Sequence, residues 1–455
     1  MKRIESSSYE LLGSLVNQSI EMWNRTDKID NDRDDFRYLE ISAVGLQNDN
    51  YELERVPIVE APSRARMILR AGDIVVSTTR PHRGAIARIR DEDAGAIAST
   101  GFAILRNPDT TRVSRGYLLN TLLSNCVLSQ MLQRSSGGAY PAITPDEIDK
   151  IRIPLLFDMR KQTRLVKDLD AALIERREKL KQADAILLRI NDSIIKALNL
   201  MPPPTDKHQA YAVRRRDIFA SRCDPLFHAP HVRRAAAILA ASPLTKMPVG
   251  KLSPDLAGGA TPTRGNQELY ANDGIKFLRI MNIAPFEILL DDVKYITEDV
   301  HKQMLGRSQI RAGDILMTIT GRVGTAAVVP LEVLPANINQ HIVRIRLVND
   351  FVTPEYLVAY LNSSLGLALT NRGVTGGTRI ALDYRTVREM LIPIPDKTIQ
   401  KNIADEVIRR RKEARQLRKE AQIIWDTAKL HFEEEILGSV AVNGATKIGH
   451  DKGGA

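Results

Sequence analysis

Basic side chains follow a short apolar segment at two places in the chain. Arg80, His82 and Arg83 come after the segment GDIVVSTT at 72–79, and Arg322 follows a similar segment later on. An arginine at a strand end can donate to a phosphate oxygen or make two hydrogen bonds to a guanine edge. A solvated basic loop is the alternative for any one of these residues. The pattern indicates a candidate nucleic-acid contact on each of two loops.

A glycine pair precedes a large polar residue at two further points. Gly137-Gly138 is followed by Tyr140, and Gly376-Gly377 is followed by Arg379. Loops of this kind can approach DNA closely, although a purely structural turn explains the glycines equally well. The candidate DNA-binding residues are Arg80, His82, Arg83, Tyr140, Arg322, Gln340 and Arg379.

Sequence motifs for catalysis and cofactor binding are missing. The chain has no phosphate-binding GxxxxGK[ST] motif, and the segment GRVGT at 321–325 lacks the lysine. A methyltransferase that acts on exocyclic amines needs a Pro-Pro-aromatic motif, whereas the prolines at 202–204 have no aromatic neighbour. We therefore expect no catalytic residue and no cofactor, and a chain that is not an enzyme.

Two other clusters have structural explanations. The segment PDEIDK at 145–150 resembles a nuclease carboxylate-lysine set, but a helix start with Thr144 as N-cap and Glu147 three residues later explains it better. His228 and His231 could hold a metal, but the proline between them prevents a helical pair of ligands, so we expect a surface turn and no metal site.

Composition limits the class of protein. The length of 455 residues predicts two to four domains, and a composition of 43% hydrophobic and 26% charged residues favours a globular chain over a disordered one. The net charge of +10 favours a polyanionic partner, although simple solubility is an alternative. The longest apolar run, Ala235–Ala241, is too short for a membrane span, and the two cysteines offer no CxxC spacing. We expect a cytoplasmic protein with reduced cysteines and no membrane partner.

The sequence is duplicated. The Gly-Asp-Ile of 72–74 recurs at 313–315, which is 241 positions later. Tyr117-Leu118 and the segment from Gly137 to Pro154 recur 239 positions later. Because several landmarks keep almost one offset, the chain contains two copies of a single unit.

Each copy ends in a long helix. No glycine or proline occurs from 157 to 201 or from 396 to 437, and apolar residues in both segments follow alternating steps of four and three. Arg176 and Arg410 interrupt the two series, either as register-setting polar residues or as side chains that reach solvent from the edge. At about 1.5 Å per residue, 40 helical residues span roughly 60 Å, which is somewhat under 20 base pairs. The predicted interface residues are Leu169, Leu173, Leu180, Leu187, Ile190, Ile403, Val407, Leu417 and Ile424.

The predicted fold is α/β (α+β), with duplicated globular recognition domains separated by two long antiparallel coiled-coil helices. Short alternating apolar segments broken by glycine and proline predict strands, and 117–132 and 356–369 predict helices inside the two domains. The expected boundaries are domain 1 at 1–154, helix 1 at 155–201, a proline-rich linker at 202–212, domain 2 at 213–393, helix 2 at 394–437 and a disordered tail at 438–455.

Taken together, the landmarks resemble the specificity subunit of type I restriction-modification systems. The resemblance extends from about Leu12 to Leu437 and is carried by the doubled Gly-Asp-Ile, the doubled Gly-Gly to Ile-Pro segment, and Gln162 and Gln400 at the start of each long helix. The segment RCDPLF at 222–227 resembles the entry to a second recognition domain. Lys161 and Ile399 stand where the family usually has glutamate before the glutamine.

This resemblance implies two domains that each read one half of an asymmetric site in double-stranded DNA. It also implies that the helices set the gap and dock two DNA adenine methyltransferase subunits, with motor-nuclease subunits joining that core. Two other classes are possible. A self-sufficient restriction enzyme needs a catalytic motif outside the copies, and a coiled-coil scaffold leaves the strand-bearing domains unexplained.

Overall fold

The computed structural model describes residues 8–24, 34–47, 49–138, 140–201, 210–219, 222–262, 269–376 and 380–438. The chain divides into two compact units. Unit 1 consists of Met1–Leu180 and Lys419–Ala455, and unit 2 consists of Lys181–Arg418. No helix in the described ranges combines the length and apolar composition that a membrane span needs.

The secondary structure of unit 1 alternates short strands with short helices before its first long helix. Its strands are β1 (Ser8–Leu11), β2 (Asn17–Gln18), β3 (Asp35–Leu39), β4 (Glu54–Pro57), β5 (Ala65–Ile68), β6 (Ile74–Ser77), β7 (Ile86–Arg88), β8 (Ile97–Ser99), β9 (Phe102–Arg106) and β10 (Arg152–Leu155). Its helices are α1 (Leu12–Leu15), α2 (Arg115–Leu122), α3 (Asn125–Gln133), α4 (Pro145–Asp149) and the first part of α5 (Met159–Ala197).

In unit 1 the Gly-Asp-Ile strand is buried on both faces, against helices on one face and against a second sheet on the other. The strand orders are β2-β9-β6-β7, β4-β3-β8-β5 and the pair β1-β10. Ile74 and Val76 lie in a core with helix residues such as Tyr117, whereas Val75 lies in a second core with Leu39 of β3. Because side chains alternate along a strand, a continuous apolar run indicates burial on both faces.

Unit 2 has a longer series of elements. Its strands are β11 (Thr245–Pro248), β12 (Ala257–Gly258), β13 (Tyr270–Ala271), β14 (Ile275–Leu278), β15 (Ile283–Ala284), β16 (Glu287–Ile288), β17 (Lys294–Ile296), β18 (Ile315–Thr318), β19 (Ala326–Val328), β20 (Ala336–Ile338), β21 (Ile342–Ile345) and β22 (Leu391–Ile394). Its helices are α6 (Arg215–Phe219), α7 (Pro225–His228), α8 (Pro230–Ala241), α9 (Val249–Leu252), α10 (Pro354–Asn362), α11 (Ser364–Gly373), α12 (Tyr384–Glu389) and the first part of α13 (Lys397–Leu437).

The sheets of unit 2 have strand orders β12-β21-β18-β19 and β13-β17-β14-β20, with the pairs β11-β22 and β15-β16. The second Gly-Asp-Ile strand, β18, pairs with β19 and β21 as β6 pairs with β7 and β9. Parallel pairing joins β14 to β20 in unit 2, and β3 to β8 in unit 1. Both units therefore contain a mixed α/β arrangement with the same strand pairings around the repeated motif.

The helices predicted at 117–132 and 356–369 are each broken in two. Ser124 lies between α2 and α3, and its hydroxyl donates to the Thr121 carbonyl at 2.6 Å. Ser363 lies between α10 and α11, donates to the Tyr360 carbonyl at 2.6 Å and accepts from the Gly366 amide at 3.1 Å. Each serine bonds back to the helix that ends before it, and Ser363 also caps the next helix through its hydroxyl, whereas Ser124 makes no such bond to α3.

The segment from His228 to His231, predicted to be a surface turn, has a different structure. It is not a surface turn, because α7 ends at His228 and α8 begins at Pro230. His228 is 5% exposed, and its Nε2 contacts the Arg222 carbonyl. Among the described residues, no group of three or more potential metal ligands is found. In contrast, Thr144 is an N-cap as predicted, accepting from the Glu147 amide at 3.4 Å.

The long helices α5 and α13 pack together, and within each unit they run antiparallel. In unit 1, Lys161 pairs with Glu435 at 2.8 Å and Lys179 pairs with Glu420 at 2.7 Å. In unit 2, Asp184 pairs with Arg418 at 2.8 Å. The helices begin at Met159 and Lys397, a few residues after the expected boundaries of 155 and 394.

Candidate nucleic-acid interface

In unit 1 the loop after β6 and the glycine-pair loop meet at their bases. Thr79 forms an antiparallel bridge with Ala142, which also pairs with Ser136 across the glycine-pair loop. The Arg80 amide donates to the Pro141 carbonyl at 2.6 Å. Two segments that the sequence identified separately are therefore one surface, which we call the unit 1 loop pair (residues 79–84 and 136–142, without 139).

Arg80 and Tyr140 are in contact in the unit 1 loop pair. The Arg80 guanidinium carbon lies 4.2 Å from the centre of the Tyr140 ring, and Tyr140 is 70% exposed. Arg80 has a φ of 50°, a left-handed conformation that is uncommon for a residue with a side chain. A guanidinium over an exposed aromatic ring combines positive charge with a flat apolar face, and nucleotides can contact both.

His82 and Arg83 occupy a single 3-10 turn, Pro81–Arg83, directly after Arg80. Arg83 is exposed, whereas His82 is half-buried and its buried Nδ1 has no hydrogen-bond partner among the described residues. Burial, together with Arg83 and Arg80, lowers the pKa of His82. His82 is therefore neutral at pH 7 and offers hydrogen bonds rather than a positive charge to an anion.

Unit 2 repeats the loop geometry with other residues. Thr320 bridges Ala381, which also pairs with Thr375 across the second glycine-pair loop. Gly321, with a φ of 65°, occupies the position equivalent to Arg80, and the exposed Arg322 follows it. The Thr318 hydroxyl donates to the Arg322 carbonyl, which fixes the loop backbone. These residues (320–324 with 375, 376, 380 and 381) form the unit 2 loop pair.

The remaining candidates of unit 2 have different positions. Gln340 is exposed after β20, and its side chain contacts Thr261 and the His341 ring nitrogen Nε2, the latter at 3.2 Å. Arg379 lies outside the described residues.

The glutamines that open the long helices attach each helix to the domain before it. Gln162 accepts from the Ser114 amide at 2.8 Å and donates to the carbonyls of Arg112 and Leu156 at 2.9 and 2.7 Å. Gln400 does the same with the Thr353 amide at 3.0 Å and with the carbonyls of Phe351 and Pro395 at 2.8 and 2.9 Å. Both side chains are buried, so each uses its acceptor and both donors.

The predicted interface residues on the long helices face inward within their own units. Leu169, Ile190, Ile403 and Val407 are buried in cores of the chain. Leu173, Leu180, Leu187, Leu417 and Ile424 are half-buried. Near the end of α5, Ile195 and Leu198 are buried, whereas Ala197 is exposed.

Sequence periodicity missed a second set of apolar residues, which point outward. On α5 and α13 the exposed ones are Ile174, Ile423 and Leu430 in unit 1, and Leu188 and Ile408 in unit 2. Single exposed apolar side chains are common on protein surfaces, whereas a contiguous patch of them marks a surface that contacts another protein. These residues lie outside the apolar series with alternating steps of four and three, which is why the sequence periodicity did not select them.

Arg176 and Arg410, which interrupt the apolar series of the two long helices, have different environments. Arg176 lies over the Trp425 ring, with 6.0 Å between its guanidinium carbon and the ring centre. Arg410 donates to Glu406 at 2.5 Å on its own helix. Bonds from Arg409 and Arg410 lower the pKa of Glu406 to about 2.

Sequence comparisons agree with these features. A family model described as the type I restriction modification DNA specificity domain matches residues 263–409, which lie in unit 2. The specificity subunit of the type I restriction enzyme EcoBI from Escherichia coli is 27% identical over 135 residues, or 30% of this chain. That alignment spans 28% of the length of the Escherichia coli protein.

Structural comparisons cover nearly the whole chain. A chain solved in work on complex assembly and conformational transition of the type I R-M system matches 97% of this chain and 100% of itself, at 18% identity and a TM-score of 0.54. The HsdS subunit from Thermoanaerobacter tengcongensis matches 97% of this chain and 99% of itself, at 18% identity and a TM-score of 0.38. The family model and the Escherichia coli relative confirm the resemblance indicated by the sequence, to the specificity subunits of type I restriction-modification systems, and the structural match with a TM-score of 0.54 shows a similar fold.

Proposed function

We propose that this chain is the non-catalytic, sequence-specific DNA-binding subunit of a type I restriction-modification complex. Each unit carries one copy of a duplicated recognition domain and reads one half of a bipartite site in double-stranded DNA. The single observation that carries the proposal is the loop pair, which has the same bridges in both units but different residues at its tip.

Different residues at the two tips support two different half-sites. Unit 1 presents an arginine stacked on a tyrosine, whereas unit 2 presents Gly321 followed by an exposed Arg322. Hydrogen bonds from side chains to base edges carry sequence information, whereas phosphate contacts mainly position the protein. The site read by the chain is therefore asymmetric, and the backbone bridges are the part common to both readers.

The long helices have two roles in this proposal. Helices of 39 and 41 residues extend roughly 60 Å each at about 1.5 Å per residue, and their length sets the number of unread base pairs. Their outward apolar residues dock two DNA adenine methyltransferase subunits, which supply the catalytic chemistry that this chain lacks, and motor-nuclease subunits join the core. The predicted interface residues, which face inward, hold the two helices in register.

Half-site discrimination tests the proposal directly. Affinity is measured for the native site and for single-base variants in each half, with the cognate methyltransferase bound and at two salt concentrations. Arg80→Ala should lose about 1–3 kcal/mol of discrimination in one half, and Arg322→Ala should affect the other half. An arginine that contacts phosphate should instead weaken all sequences alike and lower the salt slope by about one.

Two results would reject the model of separate readers. In one, both variants lose discrimination in the same half. In the other, the isolated chain cleaves or methylates DNA without a partner, which favours a self-sufficient enzyme. A chain that binds no DNA in any complex, with its fold intact, would instead be a scaffold.

A further inference from the structure

Unit 2 contains a cavity of about 550 Å³ that DNA reading does not use. It lies among helices α7, α8, α11 and α12, and its apolar lining includes Phe227, Leu239, Leu369 and Met390. Small-molecule sites in proteins have volumes of this size and a few polar groups in an apolar wall. The polar groups in the wall determine which ligand the cavity can bind.

Two arginines in the wall differ in their partners among the described residues. The Phe227 ring is close to both, with its centre 5.5 Å from the guanidinium carbon of Arg222 and 4.6 Å from that of Arg372. Arg222 bonds to Asp224 at 2.7 Å and to the carbonyls of residues 373 and 374. Arg372 has no carboxylate within ion-pair distance in the described part of the chain, and its Nε is buried without a partner.

The surroundings of Arg372 oppose its charge. Burial and the neighbouring Arg233 lower the pKa of Arg372. The other cation in the wall, Lys246, donates to the carbonyls of Ala240 and Ser242 at 3.2 and 2.5 Å. The carboxylate in the wall, Glu389, is paired with Arg385 at 2.8 Å. Arg372 as a whole is half-buried, and a partly desolvated cation without a carboxylate partner is stabilised by a ligand that supplies negative charge.

A second polar group in the wall is also unused. Tyr360 is 1% exposed, and its hydroxyl has no hydrogen-bond partner in the described residues. Buried hydroxyls are normally bonded, and each exception in a folded protein calls for a partner such as a ligand. Arg372 of α11 and Tyr360 of α10 both line this cavity, so a ligand in it has the two groups in the same wall.

We infer that this cavity binds a small organic anion with a planar, apolar body. Its anionic group pairs with Arg372 and shares a hydrogen bond with the Tyr360 hydroxyl. Its body packs against Leu239, Leu369 and Met390. The inference is independent of DNA recognition, because the site and its test involve no nucleic acid.

Calorimetry on the full chain with 1-naphthoate tests this site, with neutral 1-naphthamide and inorganic phosphate as comparison ligands. We expect one naphthoate per chain with a Kd below about 1 mM, and at least about tenfold weaker binding of either comparison ligand. Arg372→Gln should weaken naphthoate about tenfold or more, and Tyr360→Phe should weaken it several-fold. Arg234→Gln, on the exposed side of α8, is the matched control and should bind as the wild type does.

Folding of the variants is measured separately. Because Arg372→Gln removes a half-buried charge that has no carboxylate partner among the described residues, its thermal midpoint should equal or exceed that of the wild type. The inference is wrong if folded wild type binds no naphthoate up to about 10 mM. It is also wrong if Arg372→Gln binds naphthoate normally, or if inorganic phosphate binds as tightly as naphthoate.

Discussion

Arg106 holds Asp73 through two hydrogen bonds, from Nε to Oδ1 at 2.9 Å and from a terminal nitrogen to Oδ2 at 2.7 Å. Asp73 is 2% exposed and also accepts from the Arg70 amide at 2.7 Å. Arg346 and Asp314 repeat both bonds in unit 2, each at 2.7 Å. The aspartate of the repeated Gly-Asp-Ile motif is thus a structural clamp that fixes the start of the strand leading to each loop pair.

Removing this clamp should destabilise unit 1. Asp73→Ala removes one of the two carboxylates that pair with Arg106, the other being Glu21 at 2.5 Å, and leaves the Arg70 amide without its acceptor. This should cost about 1.5–3 kcal/mol of unfolding free energy. Both tryptophans, Trp23 and Trp425, belong to unit 1, so urea unfolding followed by their fluorescence reports on that unit. The exposed Asp91→Ala should change it by less than about 0.5 kcal/mol. A loss below about 1 kcal/mol for Asp73→Ala would contradict the clamp.

Gln162 should matter through all three of its hydrogen bonds. Gln162→Ala leaves the Ser114 amide and two carbonyls unpaired in a buried place, so we expect a loss of about 1–3 kcal/mol. The measurement is again urea unfolding by tryptophan fluorescence. Gln133→Ala, an exposed glutamine of the same unit, serves as the control. Equal effects of the two substitutions would mean that the buried bonds add no stability.

The left-handed backbone of Arg80 allows function to be separated from folding. Gly321 occupies the equivalent position, so Arg80→Gly should change the unfolding free energy by no more than about 1 kcal/mol. DNA affinity should nevertheless fall, by about 1–3 kcal/mol if Arg80 reads a base. Tyr140→Phe keeps the ring beneath the guanidinium and should retain most of the affinity. Unchanged DNA binding by Arg80→Gly would remove Arg80 from the interface.

The outward apolar residues of the long helices should matter for assembly and little for folding. Ile408 is 55% exposed and Leu188 is 75% exposed, so serine at either position should leave the unfolding free energy within about 0.5 kcal/mol. Co-elution with a cognate adenine methyltransferase should decrease. In contrast, Leu187→Asp places a charge against the unit 2 core and should unfold the chain itself. Normal co-elution of both serine variants would place the docking surface elsewhere.

Acid should weaken unit 2 through Glu406. Its pKa is lowered to about 2 by the bonds from Arg409 and Arg410, so its contribution to stability is complete above pH 4.5 and disappears as pH falls toward 2. For a partly exposed group this contribution is on the order of 1 kcal/mol. The thermal midpoints of wild type and Glu406→Gln are measured by calorimetry between pH 5 and pH 2, the range in which the shifted carboxylate titrates. Glu406→Gln should lose less stability over this range than the wild type does. Glu413→Gln, which removes one longer bond of 3.3 Å to Arg409, is the control.

Local patterns predicted much of the fold. Apolar runs gave the buried strands β6 and β18, and the absence of glycine and proline gave the two long helices to within a few residues of their starts. Thr144 was identified as an N-cap because the bond it makes involves a residue only three positions away. These features depend on neighbours in the sequence, which is why a single sequence was enough.

Features that depend on distant residues were not predictable. Arg80 and Tyr140 were selected separately, and only the folded chain brings them together across 60 positions. Gln162 was noted as a repeated landmark, but its bonds to Ser114 and Arg112 span about 50 positions. The helix breaks at Ser124 and Ser363 occur where the serine hydroxyl donates to a backbone carbonyl and the helix does not continue. Composition does not predict which serines do this.

The division of the chain also has a consequence for the order of folding during synthesis. Unit 2 is one continuous stretch, whereas the core of unit 1 includes Phe432, whose ring centre lies 5.8 Å from that of Tyr117. The ribosome synthesises the chain from the N-terminus. Unit 1 therefore completes its core only after the C-terminal part of α13 has been made. Stalled nascent chains ending after Arg418 should protect unit 2 from protease while unit 1 remains cleavable. Equal protection of both units at that length would mean that unit 1 is complete without the second helix.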